Sequence, residues 1–121
     1  MPIVDVEIVA GEGAMDASGA GTLADALGKL FGTAPGRTWV RLRTLPATAY
    51  AENDSRPGPG EWPVFVTVLH AHPPTGEART AEVLAITSAV AAWAGRTSAR
   101  VHVQYAPAAA GRQAFGGRLV E

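Results

Sequence analysis

The 121-residue chain has no cysteine and a single lysine, Lys29. Without thiols it can form neither disulfides nor zinc–thiolate sites, and it has no cysteine nucleophile. It also lacks an excess of charge of either sign. Ten Lys and Arg against eleven Asp and Glu leave a formal net charge of -1, which gives the whole molecule no attraction for nucleic acid. No run approaches the roughly 18 apolar residues that a membrane span requires. The N-terminus has neither the basic flank nor the apolar core of a signal peptide. These absences read as a soluble cytoplasmic protein with no nucleic-acid or membrane partner. A hydrophobic fraction of 47% and three tryptophans are enough for one folded domain spanning residues 1–121.

Nine arginines accompany the one lysine. A guanidinium is a planar fork suited to carboxylates, so the bias favours recognition of oxyacids, although a GC-rich coding bias would give the same excess. The chain begins MPIVDVEIVA. Proline has no backbone N–H and suits only the first residue or edge of a strand. The same position has a chemical reading. Loss of Met1 would leave Pro2 as a free secondary amine, a base or nucleophile at the mouth of a strand.

From Ile3 to Val9, Val4, Val6 and Ile8 alternate with Asp5 and Glu7, the period of a strand. GEGAMDASGAG reads as a turn-rich connection, and Thr22 as the cap of a helix in which Leu23, Ala26, Leu27 and Leu30 share an apolar face. RTWVRLRTL is a second strand, ended by Pro46. YAENDSRPGPGE reads as a loop or hairpin and WPVFVTVLHAH as a third strand. Thr80 is placed to cap a helix through AEVLAITSAVAAWAG, and RVHVQYA is a fourth strand. The order is strand–helix–strand twice, in halves of about residues 2–46 and 63–107. A register shift of 61 sets Pro2 over Pro63, Leu23 over Leu84 and Val40 over Val101. Right-handed crossovers would make a parallel pair in each half and put both helices on one face. The other face is expected to carry apolar residues that an oligomer would bury.

The combination of MPIVDVEIV, WVRLRTLPATAYAEN and RVHVQYAPAAAGRQAFGG resembles the tautomerase superfamily over nearly the whole chain. The likeness is to its longer members with two β-α-β units, the group of 4-oxalocrotonate tautomerase and macrophage migration inhibitory factor. The resemblance implies an α/β sandwich with one four-stranded mixed sheet and both helices on one face. It also implies a homotrimer with active sites at subunit boundaries and keto–enol tautomerisation of a small carboxylate-bearing acid without a cofactor. The processed proline would be the general base. In some members it remains protonated, so decarboxylation, hydration or dehalogenation of an unsaturated acid is the alternative, as is a non-catalytic binding trimer.

Candidate site residues follow. Arg41 and Arg43 lie two apart on one strand face with Trp39. They could bind a carboxylate, lower the amine pKa at Pro2 and steady an enolate, or they could simply form a solvated face or an ion pair. Arg41 matches the arginine that shorter tautomerases supply from their second strand. His102 and Gln104 share a face and match a tyrosine and an asparagine of the cytokine-like members. Tyr50 could serve as a phenolic donor and Glu52 could activate water, or both could belong to a polar surface turn. Arg112 is a further anchor, and Phe115 an apolar wall or the anchor of a tail crossing another subunit. The stretch AGEGAM lacks the arginine of short tautomerases, and Thr33 in GTAPG stands where cytokine-like members have a lysine. His70 and His72 in HAH, with no third ligand, read as chain reversal before Pro73-Pro74 rather than a metal site.

Overall fold

The computed structural model describes residues 1–11 and 19–121. Strand β1 (Ile3–Ala10) leads to helix α1 (Gly19–Phe31) and strand β2 (Trp39–Pro46). Strand β3 (Val64–Leu69), helix α2 (Gly76–Ala94) and strand β4 (Val101–Tyr105) follow, and a short hairpin of β5 (Ala114–Phe115) and β6 (Arg118–Leu119) closes the chain. The sheet order is β2-β1-β3-β4. β1 and β2 run parallel, as do β3 and β4, and the two units meet through the antiparallel pair β1–β3. Most of the connection GEGAMDASGAG lies outside the described residues.

The alternation in β1 determines which face is covered. Val4, Val6 and Ile8 join Val64, Val66 and Val68 of β3 in a core with Leu23 and Leu27 of α1 and Ile86 and Val90 of α2. β-Branched residues fit a pleated surface, and burying each such side chain contributes about 1.5–3 kcal/mol. Both helices therefore lie on one face. The opposite face differs from the sequence expectation. Its middle is polar, formed by Asp5, Glu7, Arg41, Arg43, Thr67, His102 and Gln104 around a partly exposed Phe65. Its apolar members Ile3 and Val9 are buried near the strand ends.

Three local expectations are corrected. α1 begins at Gly19, so Thr22 lies inside the helix rather than capping it. α2 begins at Gly76 after Thr75, and Thr80 donates back to the Gly76 carbonyl at 3.4 Å. The uniform shift of 61 fails because it sets core-facing Val4 on open-face Phe65, and buried Leu23 on Leu84, which is 64% exposed. The buried helix pairs are instead Leu23 with Ile86 and Leu27 with Val90. Strands and helices of the two units are thus offset by different amounts, and no single shift relates them.

α2 stops at Gly95, whose φ of 66° is left-handed and lets its N–H reach the Ala91 carbonyl. In the tail, Gly116 and Gly117 have φ of 57° and 84°. That pair of left-handed residues is what a two-residue turn between β5 and β6 needs. The tail is tied to its own chain: Ala109 donates to the His70 carbonyl at 2.8 Å, and Gly111 to Val120 at 2.7 Å.

Candidate active site

Pro2 is fully buried one residue before β1, and its carbonyl accepts the Trp39 N–H at 3.1 Å. Ile3 faces Leu69 as the last pair of the antiparallel ladder, so Pro2 and His70, which adjoin that pair, sit at the same end of the sheet. The aromatic ring of Trp39 sits at the same end of the sheet. It meets Phe115 edge-on, with centroids 4.8 Å apart, and its indole N–H donates to Gly36 at 2.7 Å. The tail hairpin thus delivers Phe115 to the Pro2 end. Arg112, by Leu69 and Ala109 around a cavity of about 180 Å³, is at that end too.

The other candidates gather elsewhere. Past Pro46, opposite Ala10, the chain turns through Ala47–Ala49 and places Tyr50 beyond the far end of β1. Tyr50 leans on Phe65 at 6.0 Å, and Phe65 on His102 at 5.5 Å. Arg43 joins Phe65, Thr67 and Gln104 around a shallow open-face cavity of about 290 Å³, and Gln104 donates to Thr67 at 2.8 Å. Arg43, Phe65 and His102 lie level with Glu7, five residues along β1 from Pro2 and so roughly 17 Å from it at the rise of a strand, and Tyr50 leans on Phe65 from beyond. Within one chain, Pro2, Trp39 and Phe115 come together. Tyr50, Glu52, Arg43 and His102 form a second set, and Arg41 and Gln104, both level with Asp5, stand between the two.

The two arginines of β2 are not equivalent. Arg41 holds Asp5 through one edge of its guanidinium, Nε donating to Oδ1 at 2.5 Å and Nη2 to Oδ2 at 2.7 Å. That hydrogen bond and the Asp5 charge raise the Arg41 pKa. Arg43 sits opposite Glu7 in register, yet among the described residues no carboxylate comes within ion-pair reach of it. Arg41 is largely exposed, so its pair with Asp5 is worth at most about 1 kcal/mol and can be exchanged for another carboxylate.

Glu52 accepts from Tyr50 at 2.7 Å and from Arg100 at 3.2 Å. The Tyr50 hydrogen bond chiefly, with the Arg100 charge, holds the Glu52 carboxyl below its ordinary range. The same hydrogen bond raises Tyr50. Arg100 also reaches Glu61 at 3.3 Å.

Sequence reasoning missed a constellation at the Pro2 end. His70 Nε2 lies 3.0 Å from Glu82 Oε2, and Tyr105 donates to that same oxygen at 2.5 Å. The His70 ring stacks on Tyr105 at 6.0 Å and meets the edge of Phe31 at 5.2 Å. The Arg79 guanidinium lies 5.7 Å from the Tyr105 ring centre. Burial first, then the Glu82 hydrogen bond, pushes Tyr105 far above the ordinary range of a phenol. His70 is therefore a paired side chain under the sheet and not a bystander of a chain reversal. The available signal was the spacing of Thr75 and Pro74 before a helix, which puts Glu82 two turns in, above the end of β3. Among the described residues no three His, Asp or Glu side chains gather as a metal site, and no helix is long and apolar enough to cross a membrane.

No family model matches the sequence, and no curated protein matches it. Solved structures do. A fused 4-OT described as a wild-type symmetric trimer is 21% identical, with a TM-score of 0.75 over 98% of this chain and 94% of that one. Pt0534 inactivated by 2-oxo-3-pentynoate is 18% identical, with a TM-score of 0.75 over 98% and 94%. Macrophage migration inhibitory factor from Oncomelania hupensis is 18% identical, with a TM-score of 0.73 over 100% of this chain and 83% of that one. At such identities the likeness is one of fold, and it runs the length of the chain.

Proposed function

We propose, from a fold shared with the tautomerase superfamily, that this chain is a cofactor-independent isomerase. It would move a proton between carbon and oxygen of a small 2-keto or 2-hydroxydienoic acid. The general base is the Pro2 amine, freed by loss of Met1. The observation that carries this reading is the placement of Pro2: fully buried, held through its carbonyl by Trp39, and one residue before the central strand β1. With Met1 attached the nitrogen is an amide and has no basic lone pair. Once free, an α-amino group with an ordinary pKa near 8 needs only a modest downward push from burial and nearby cations to work as a base near neutrality.

The separation of the two residue groups supports a homotrimer. One chain supplies Pro2, Trp39 and Phe115. A neighbouring copy would bring Arg41 or Arg43 to the substrate carboxylate and His102 or Tyr50 to its oxygen, with Gln104 as a further polar contact, and Arg112 would come from the chain that supplies Pro2. The fused 4-OT neighbour is a trimer, and the inactivator of Pt0534 is an unsaturated 2-keto acid. Both fit the reading. Hydration or dehalogenation would ask Glu52 to activate water, but a carboxyl held low by Tyr50 and Arg100 is a weak base. Tautomerisation is therefore the preferred reaction.

The test pairs intact-mass measurement of protein made without added N-terminal residues with ketonisation of phenylpyruvate enol and hydrolysis of a haloacrylate. Loss of Met1 with ketonisation is expected. Turnover of the haloacrylate alone, or full activity in Met1-retaining protein, would overturn the reading.

A further inference from the structure

The partly buried trio of His70, Glu82 and Tyr105 lies under the end of the sheet where Pro2 sits, and the reaction proposed above gives it no task. One carboxylate oxygen, Oε2 of Glu82, receives both the Tyr105 hydroxyl at 2.5 Å and His70 Nε2 at 3.0 Å. A carboxylate partner requires that Nε2 carry a proton, so His70 is the donor in this contact. The ring is fixed on two further sides, stacked on Tyr105 and edged by Phe31. Pro2 and His70 each adjoin the last pair of the β1–β3 ladder, Ile3–Leu69, so both sit at the same end of the sheet. The His70 and Glu82 side chains are only 12% and 17% exposed, so water screens their field weakly.

We propose that the His70–Glu82 pair, braced by Tyr105, tunes the protonation of the Pro2 amine, with His70 and Glu82 as positioning residues for the reaction. This rests on Pro2 being a free amine. The carboxylate favours the ammonium form, and the two hydrogen bonds it accepts from His70 and Tyr105 offset part of that field. Cations at the same end act in the opposite sense to Glu82. They are Arg79 from α2, Arg112 and Arg118 from the tail, Lys29 from the last turn of α1 and Arg37 just before β2, while Glu77 in the first turn of α2 acts with Glu82. β2 contributes Trp39, which carries no charge, and β4 contributes Tyr105, held protonated.

The experiment is an NMR titration of the Pro2 nitrogen in the full-length, ¹⁵N-proline-labelled protein, after intact mass has established loss of Met1. Glu82→Gln removes the charge and keeps a hydrogen-bonding amide. It should lower the Pro2 midpoint by about 0.5–1 pH unit and carry the acidic limb of the kcat/KM profile with it. His70→Leu removes one of the two donors to Glu82 and should move the midpoint upward by a few tenths. If either variant fails to fold, Tyr105→Phe takes away the other donor to the carboxylate and should move the midpoint in the same direction as His70→Leu. A Pro2 midpoint unchanged in every folded variant would overturn the proposal while leaving Pro2 as the base. Shifted midpoints in a protein that turns over no keto acid would uphold the tuning and reject the reaction. Retained Met1 would overturn the tuning, because no amine would exist to be tuned.

Discussion

Each end of the sheet carries a tyrosine donating to a glutamate, with a third charged or polar partner beside them. At the Pro2 end Tyr105 binds Glu82 at 2.5 Å beside His70, and at the far end Tyr50 binds Glu52 at 2.7 Å beside Arg100. Burial separates the pairs. Desolvation is the leading cause of the rise at Tyr105, whereas at Tyr50 the hydrogen bond leads and burial comes second. Identical residue types therefore give a solvent-screened surface latch at one end and a more deeply covered pair at the other. Chemistry that depends on a shifted pKa belongs at the covered end.

The sharpest way to break this comparison is to disable each end in turn. Retaining Met1, or adding residues ahead of Pro2, should lower kcat/KM for an enol acid by about 10²–10⁴, the usual worth of a general base. Glu52→Gln at the other end should change it by less than about twofold. Comparable losses from the two would erase the distinction and restore water activation by Glu52.

The covering of the Pro2 end can be tested through packing. Leu27, fully buried on α1, should cost about 2–5 kcal/mol of stability on truncation to alanine, measured by urea denaturation. Leu84, exposed on the outer side of α2, should change stability by no more than about 0.5 kcal/mol.

A smaller effect separates the arginines between the two ends. Either Arg41→Ala or Arg43→Ala should lower kcat/KM for an acid substrate at least about tenfold, with circular dichroism and assembly mass unchanged. Arg43, with no carboxylate in ion-pair reach among the described residues, is expected to show the larger rise in KM. Arg41 must first release Asp5.

The pH dependence should differ as well. Tyr105 has its pKa raised in the folded state. Its hydrogen bond therefore contributes stability that is complete below the unfolded pKa near 10 and is lost as pH rises towards the folded value. With two tyrosines in the chain, alkaline absorbance titration should show one step ahead of unfolding, and Tyr105→Phe should leave that step intact. Glu52 has the opposite sign. Its lowered pKa gives stability that is present above about pH 4.3 and lost as pH falls through the folded value. The Tm difference between wild type and Glu52→Gln should thus shrink on going from pH 6 to pH 3.

The sheet, its two helices and the outward pointing of Trp39, Arg41 and Arg43 were legible because alternation is local. Val4, Val6 and Ile8 share a side whatever lies above them, so the covered face follows from β1 alone. The helix starts at Gly19 and Gly76 were not legible, since threonine inside a first turn resembles threonine at a cap. The open face was expected to carry apolar residues because the strands have them on both sides, whereas Asp5 and Glu7 in its middle meet Arg41, Arg43 and Thr67 across the ladder. The His70–Glu82–Tyr105 trio was out of reach for a different reason. Its members come from a strand end, a helix and another strand, 12 and 23 residues apart, and only the crossover brings them to one carboxylate oxygen. Likewise, no local pattern could tell that Tyr50 and Pro2 lie at opposite ends of one sheet.

The central claim, that the Pro2 nitrogen is the reactive base, is tested most directly by covalent labelling. Treatment with 2-oxo-3-pentynoate should add one equivalent per chain, through conjugate addition of a neutral amine to the alkyne with the proton passing to carbon. Peptide mass mapping is expected to locate the adduct on Pro2 in chains that have lost Met1, with activity falling in proportion to label. Stoichiometric inactivation with the adduct on any other residue, or no adduct on a free Pro2, would contradict the account.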